Sequence, residues 1–157
     1  MKQLSLILLA LQLLVACGNQ NGKPTNVETI NEPANTAPAE NPSYDAKRGE
    51  GSYTDVTVPE TLNVSLVAEG NKVYNVKCSS CHKLSNEKLV GPGWKDVTKR
   101  RTAAWILNFI TNTEVMLNKD PEAQAQLELC LVRMPNQNLS DKEAKSLYEF
   151  MRKNDSK

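Results

Sequence analysis

Two cysteines and the only histidine of the chain lie within five consecutive residues, in the order Cys78-Ser79-Ser80-Cys81-His82. This is the C-x-x-C-H spacing by which proteins attach a c-type heme. On a helical turn, positions three apart share a face, so both thiols can reach the two vinyl edges of one porphyrin. The next residue, His82, then directs its imidazole at the iron from the proximal side. The motif predicts one covalently bound heme c, with Cys78 and Cys81 as thioether donors and His82 as an axial ligand.

Two other functions use cysteines at this spacing. A thioredoxin-like dithiol needs a preceding strand in a βαβ context, and no such pattern precedes Cys78. A structural zinc site needs a second pair of Cys or His ligands, and the chain has no other His. Heme attachment is therefore the favoured interpretation.

A methionine can supply the sixth iron ligand, and three methionines remain once the initiator is set aside with the leader. Met134 precedes Pro135 in a loop just before a capped helix, a place where a side chain can be aimed. Met151 lies on the apolar stripe of the last predicted helix, which favours core packing. Met116 lies in a segment without a predicted rigid frame, which favours gap filling. We predict His82 and Met134 as the axial pair, with a thioether that raises the reduction potential.

Four helical stretches are predicted to position these residues, and no segment has a convincing strand pattern. The first covers about 66–80, with Ser65 as its N-cap, and delivers the cysteine pair at its end. The last runs to about residue 153. The remaining starts are set by capping signals, at Thr102, at Asp120-Pro121 and at the capping box from Ser140 to Glu143. The expected fold is an all-α bundle of about four short helices around one heme.

The N-terminus resembles the leader of a bacterial lipoprotein. Residues 4–16 form an apolar run of signal-peptide length, shorter than the ~20 residues that span a membrane. The run ends at Ala16-Cys17, as in a lipobox, where the cysteine becomes the acylated first residue of the mature chain. A cleaved signal peptide that happens to contain a cysteine is the alternative. We expect removal of residues 1–16 and lipid attachment at Cys17, which would anchor an exported protein to a membrane facing the periplasm or to the outside of the cytoplasmic membrane.

Composition divides the mature chain into a tether and a domain. Residues 17–59 are rich in Asn, Pro, Thr and Glu, with 3 basic and 6 acidic residues, and such a composition predicts a disordered tether. Residues 60–157 carry 15 basic and 12 acidic residues and form the predicted heme domain. The near-neutral total, 19 basic against 18 acidic, argues against a nucleic-acid binder. A domain with so few large apolar residues is expected to complete its core with a cofactor.

For Cys130 and for a run of basic residues, a structural interpretation is favoured over a functional one. Cys130 is left over once the other three cysteines are assigned, and beside Leu127 and Leu131 it is predicted to be a small buried side chain. A run of cations is typical of a solvated face, with docking of an acidic partner or contact with heme propionates as the alternative. The run consists of Lys95, Lys99, Arg100 and Arg101.

Over roughly residues 64–153 the sequence resembles the class I monoheme cytochromes c. In that family a Gly and an aromatic of the first helix pack against an aliphatic and an aromatic of the last. The corresponding residues here are Gly70 and Tyr74 in the first helix and Leu147 and Phe150 in the last.

The resemblance also implies roles around the heme. It implies that the carbonyl of Pro92, in Gly91-Pro92, accepts a hydrogen bond from the His82 ring, which orients the ring. It implies that the Met134-Pro135 element supplies the sixth ligand. The family commonly uses an Arg or a Trp to reach the propionates, and the candidates are Arg100, Arg101 and Trp105.

The implied function is a one-electron carrier between membrane-associated redox partners. It is expected to be no enzyme and to bind no small-molecule substrate and no nucleic acid. One alternative is a dedicated electron-entry subunit of a terminal reductase or oxidase. Another is a heme sensor or peroxidase with an open sixth position, although the single His, being proximal, leaves no distal His to favour it.

Overall fold

The computed structural model of the protein describes residues 44–157, which form six helices. Within this part of the chain the only strand-type pairing is an isolated bridge between His82 and Lys88. The all-α prediction is confirmed. The helices are α1 (Val64–Lys77), α2 (Val97–Arg100), α3 (Ala103–Thr111), α4 (Thr113–Lys119), α5 (Pro121–Cys130) and α6 (Asp141–Asp155).

The two helices beyond the expected four are α2 and α4. Neither begins with a side-chain capping bond, so neither carries the local signal by which the others were predicted. The prediction that the Met116 segment has no rigid frame is therefore wrong, because that segment is α4. Tertiary packing supplies its stability, as the completely buried Met116 shows.

Three of the four predicted helix starts are confirmed. Thr102 accepts a bond from the Trp105 backbone N–H at 3.1 Å, and Asp120 accepts one from the Ala123 N–H at 2.7 Å. The capping box at the start of α6 is complete. The fourth is wrong, because α1 is capped by Asn63 and not by Ser65, and it ends at Lys77 and not at about residue 80.

The crossing of α1 and α6 is built on the residues that the family resemblance singled out. A Cβ at Gly70 would clash with the Ser146 carbonyl and would lie 2.8 Å from the Cβ of Phe150. The ring centroids of Tyr74 and Phe150 are 5.4 Å apart, and Leu147 is buried beside them. Glycine therefore allows the two helix backbones to approach closely.

Residues 44–53, assigned to the tether from composition, instead pack against the helices. The buried amide of Asn108 donates to the carbonyls of Arg48 at 3.0 Å and Tyr53 at 2.8 Å. The Asn108 Oδ1 accepts the Tyr53 N–H at 2.9 Å. The predicted boundary at residue 60 is thus too late, because backbone polar groups attach this segment and apolar content does not reveal them.

The predicted leader, the lipid attachment at Cys17 and the tether up to residue 43 lie outside the described residues. Among residues 44–157, no helix combines the length and the apolar character needed to cross a bilayer.

Candidate cofactor site

A cavity of about 410 Å³ lies between the helices, within the ~300–1,000 Å³ range of cofactor sites. Its lining is mostly apolar and includes the three residues of the attachment motif and the methionine of the predicted ligand loop. These four residues, distant in sequence, are Cys78, Cys81, His82 and Met134. Four apolar residues of α3 also line the cavity, namely Trp105, Ile106, Phe109 and Ile110.

The attachment motif follows directly on α1 as a turn. The backbone N–H of His82 donates to the Cys78 carbonyl at 2.9 Å, so the two cysteines and the histidine lie close together. The Tyr74 hydroxyl donates to the His82 carbonyl at 2.7 Å and ties the end of the turn to α1. Because Tyr74 also packs at the α1–α6 crossing, that crossing positions the motif.

The His82 ring is held in the tautomer that a metal requires. Its Nδ1 lies 2.8 Å from the Pro92 carbonyl oxygen, which can only accept, so Nδ1–H is the donor and Nε2 keeps its lone pair. Burial lowers the pKa of His82, and the bond to Pro92 opposes this shift. The ring is therefore a neutral nitrogen donor at physiological pH.

Gly91 and Trp94 both pack against His82, and the sequence analysis did not predict either contact. A Cβ at Gly91 would overlap the imidazole, with Nδ1 at 2.8 Å and Nε2 at 2.9 Å, so only glycine lets this loop lie against the ring. Trp94 is buried with its ring centroid 5.4 Å from that of His82 and 5.1 Å from that of Tyr74. In the sequence, the only available signal was a Trp two residues after Pro92.

Neither motif cysteine is joined in a disulfide within the described residues. Cys78 is buried, and this burial raises its pKa to about 11, an effect that Lys77 opposes and Cys81 reinforces. A thiol of this kind is protonated at neutral pH, which disfavours the thioredoxin-like alternative, whose attacking cysteine needs a lowered pKa. Among residues 44–157, no cluster of three or more Cys, His, Asp or Glu residues is arranged to hold a metal ion.

The loop between α5 and α6 carries Met134, which is half-buried and lines the cavity. Its neighbour Arg133 donates to Glu114 Oε1 at 3.1 Å and to Asn118 Oδ1 at 2.9 Å, which attaches the loop to α4. The Lys77 ammonium donates to the Gln137 carbonyl at 3.4 Å, which attaches it to the end of α1. Met134 is thus flanked by two points of attachment.

The other two methionines occupy different environments. Met116 is not part of the cavity lining, and its sulfur accepts the Glu50 N–H at 3.1 Å. Met151 lines the cavity but lies on α6 with 2% exposure, within the hydrophobic core. Cys130 is half-buried and lines the cavity, so it is more exposed than the buried side chain that the sequence predicted.

The three propionate candidates are not equivalent in their surroundings. Arg101 pairs with Glu122, and its guanidinium lies over the Trp105 ring at 4.8 Å, outside the cavity lining. Trp105 lines the cavity, but its indole N–H donates to Asp120 at 2.8 Å. Arg100 lines the cavity, and its guanidinium donates to the Lys95 carbonyl but pairs with no carboxylate among the described residues.

Asp120 connects Tyr44, at the start of the described residues, to Trp105 in the cavity lining. The carboxylate is fully buried, caps α5, and accepts hydrogen bonds from both Trp105 and the Tyr44 hydroxyl on the same oxygen, Oδ2. Burial, followed by the bond to Asp120, raises the pKa of Tyr44 above its usual value. Tyr44 therefore stays a neutral donor, and three hydrogen bonds compensate the buried carboxylate.

Lys77 and Glu143 form an ion pair beside the cavity, 3.0 Å apart. The Ser140 backbone N–H, then Lys77 and the Ser140 hydroxyl, lower the pKa of Glu143 from 4.5 to about 2. A carboxylate with a lowered folded-state pKa stabilises the fold fully above pH 4.5 and loses that contribution as the pH falls towards 2.

We expect Glu143→Gln to weaken the acid sensitivity of the protein. Between pH 4.5 and 2 the melting temperature of the wild type should fall more steeply than that of the variant, because only the wild type loses the ionised capping box. Glu60→Gln, at an exposed position without an ion-pair partner among the described residues, is the control and should follow the wild type. Parallel curves for wild type and Glu143→Gln would contradict the assignment.

A cytochrome c relationship is supported by two comparisons. The family described as cytochrome c matches residues 67–155. The solved cytochrome c from Rhodothermus marinus is 28% identical, with a TM-score of 0.65 over 68% of this chain and 90% of that chain. An engineered cytochrome c from the same organism gives 27% identity, a TM-score of 0.65, and coverage of 68% and 92%. No curated protein sequence matches the chain.

A helical domain whose C-x-x-C-H motif lines an apolar cavity has the architecture of a covalent heme protein. The chain belongs to the cytochrome c family. It accordingly has the helical fold of that family and one covalently bound heme c. The donor set fits this cofactor, since two cysteines that form no disulfide and a neutral imidazole line the same cavity.

Proposed function

We propose that the protein is a one-electron carrier in which Cys78 and Cys81 form the thioether bonds to heme c and His82 and Met134 ligate the iron. Electron transfer is the general role of the family. The observation that carries the finer proposal is that all four side chains line one apolar cavity.

Heme c, when bound, supplies a couple between ferrous and ferric iron that exchanges one electron. The residues of the chain set the reduction potential of the heme and the access of other molecules to it. Pro92 holds the His82 ring with its lone pair available, and the Met134 thioether favours the reduced state. The apolar side chains of α3 would cover the bound heme, and ligation by both His82 and Met134 would leave no position for a substrate.

We assign the propionate contact to Arg100, because it lines the cavity and has no carboxylate partner among the described ion pairs. Arg101 and Trp105 are not assigned to the propionates, because each is engaged with other residues. Trp105 is fixed by Asp120 on one side and covered by Arg101 on its face.

Carbon monoxide binding distinguishes a carrier from a sensor or peroxidase. Full-chain reduced protein with stable Met134 ligation should bind carbon monoxide slowly or not at all, because the sixth position is occupied. Met134→Ala is the positive control and should bind it rapidly. Rapid binding by the wild type would support the open-site alternative and contradict the carrier proposal.

We further propose that the protein is exported and held at a membrane by lipid on Cys17, with redox proteins of that membrane as partners. The support is the apolar run of residues 4–16 that ends at Ala16-Cys17. A flexible segment over residues 17–43 would have a root-mean-square reach of about 30 Å. Cys17→Ser should release the protein into the soluble fraction, and retention of this variant in the membrane would refute the anchor.

A further inference from the structure

Asp120 is a charged side chain that is completely buried next to the cofactor cavity. It does not line the cavity, but three residues around it do. One is Trp105, whose indole N–H donates to the Asp120 Oδ2 at 2.8 Å. The others are Leu117 and Ala123, which lie three positions before and after Asp120 in the chain. The carboxylate therefore lies directly behind the cavity lining.

Capping of α5 does not account for a charge at this position. Asn and Ser cap a helix about as well as Asp, and Thr is only slightly weaker. The other three side chains that cap helices in the described residues are neutral and exposed, namely Asn63, Thr102 and Ser140. A neutral cap would also avoid the cost of removing a charge from water. The buried charge of Asp120 therefore needs an explanation other than capping.

The hydrogen bonds of Asp120 fit an ionised carboxylate. Its Oδ1 accepts the Ala123 backbone N–H at 2.7 Å, and its Oδ2 accepts both the Trp105 indole N–H and the Tyr44 hydroxyl. The amide and the indole can only donate, so each carboxyl oxygen acts as an acceptor. An ionised carboxylate, which can only accept, matches this set of donors.

No cation neutralises this carboxylate within the part of the chain that the structure describes. Asp120 takes part in none of the ion pairs found there. Its chain neighbour Lys119 pairs with Glu50 at 3.7 Å. The Arg101 guanidinium pairs with Glu122. Because a buried charge is screened much less than an exposed one, the field of Asp120 extends into the cavity.

We propose that Asp120 sets the reduction potential of the heme, because its buried negative charge stabilises the ferric state. Oxidation of the iron adds one positive charge to the heme, so a negative charge behind the cavity lining favours the oxidised form. The potential is then lower than ligation by His82 and Met134 alone would give. This inference rests on the proposed electron-carrier function and adds a residue that acts on the cofactor without touching it.

The test is a redox titration of the full-chain holoprotein carrying Asp120→Asn. Asparagine has nearly the same shape and can still cap α5, but it has no charge. At the applied potential where the wild type is half reduced, the ratio of ferrous to ferric heme should rise about tenfold in the variant. Glu128→Gln is the matched control, because it removes one negative charge from an exposed position of the same helix. Solvent screening should keep its ratio close to that of the wild type.

The sign of the change separates a charge effect from a structural one. A loosened site would admit water, which stabilises the more highly charged ferric heme and lowers the ratio of ferrous to ferric heme. Asp120→Ser, a second neutral cap of smaller size, should raise the ratio like Asp120→Asn and provides the test if the latter folds poorly. In a Trp105→Phe background, Asp120→Asn should still raise the ratio, because the charge does not act through the indole.

The indole N–H of Trp105 gives a measurement that does not depend on electron transfer. Its proton resonance in the reduced protein can be assigned by its loss in Trp105→Phe, since the chain has two tryptophans. The resonance should move upfield in Asp120→Asn, because a hydrogen bond to a charged acceptor is replaced by a weaker one. It should stay in place in Glu128→Gln.

A ratio in Asp120→Asn that equals that of Glu128→Gln, or that falls below the wild-type value, would overturn the inference. So would an indole resonance that does not move. If the wild type lacks heme or a reversible one-electron step, the electron-carrier proposal itself fails. If both are present and Asp120→Asn leaves the titration unchanged, only the role of Asp120 is refuted.

Discussion

Met134→Ala is expected to abolish the thioether-iron charge-transfer absorption of the oxidised protein and to lower its reduction potential, by on the order of 100 mV. The thioether is a soft ligand that favours ferrous iron, so its loss destabilises the reduced state. Absorption spectroscopy and a redox titration of the variant measure the two effects. The heme should stay attached, because Cys78 and Cys81 are unchanged.

The other two methionines supply matched controls for this experiment. Met116→Leu changes a completely buried side chain outside the cavity lining, so the charge-transfer absorption should be retained. Met151→Leu changes a core residue that does line the cavity and should retain it as well. An unaltered spectrum in Met134→Ala, or loss of the absorption in Met151→Leu, would remove Met134 from the site.

Gly70→Ala is expected to destabilise the fold by about 3 kcal/mol, although Gly→Ala in a helix interior normally stabilises by about 1 kcal/mol. The reversal of sign follows from the α1–α6 crossing, where an added methyl group would clash with the Ser146 carbonyl and lie 2.8 Å from the Phe150 Cβ. The helices must separate to admit it. Denaturant unfolding of the holoprotein measures the effect.

Lys72→Ala serves as the control for Gly70→Ala, because Lys72 is exposed on the same helix and forms no ion pair among the described residues. It should change the free energy of unfolding by less than about 0.5 kcal/mol. If Gly70→Ala were as stable as this control, the close helix crossing would not contribute as described.

The helix starts that could be predicted from sequence depend on hydrogen bonds between residues close together in the chain. The capping bonds of Thr102 and Asp120 join residues three apart, so the local sequence contains all that they need. The first helix start was wrong, because Asn63, two positions before the predicted Ser65, caps α1. Helix α4, which was not predicted, has no side-chain capping bond and is stabilised by burial of Met116 and Leu117. This burial depends on residues distant in the chain, so the local sequence does not reveal it.

The packing of residues 44–53 also depends on contacts distant in the chain, which the local sequence does not reveal. Its attachment depends on Asn108, whose amide binds backbone groups 55 and 60 residues away. Hydrogen bonds of this kind leave no hydrophobic pattern in the segment that is bound. Composition alone therefore placed residues 44–53 in the tether.

Within the site, the motif residues were predictable because covalent attachment to one porphyrin restricts their spacing. The propionate candidates could not be separated, because their availability depends on Glu122 and Asp120, which bind Arg101 and Trp105. The packing of Gly91 against His82 likewise becomes visible only in three dimensions.

The most direct test of the electron-carrier account is a spectroelectrochemical titration of the full-chain protein, with heme measured as its pyridine hemochrome. The account predicts one heme c per chain that stays bound after denaturation and titrates reversibly in a single one-electron step. Heme that is extracted by denaturation, or a protein that shows no reversible one-electron step, would contradict it.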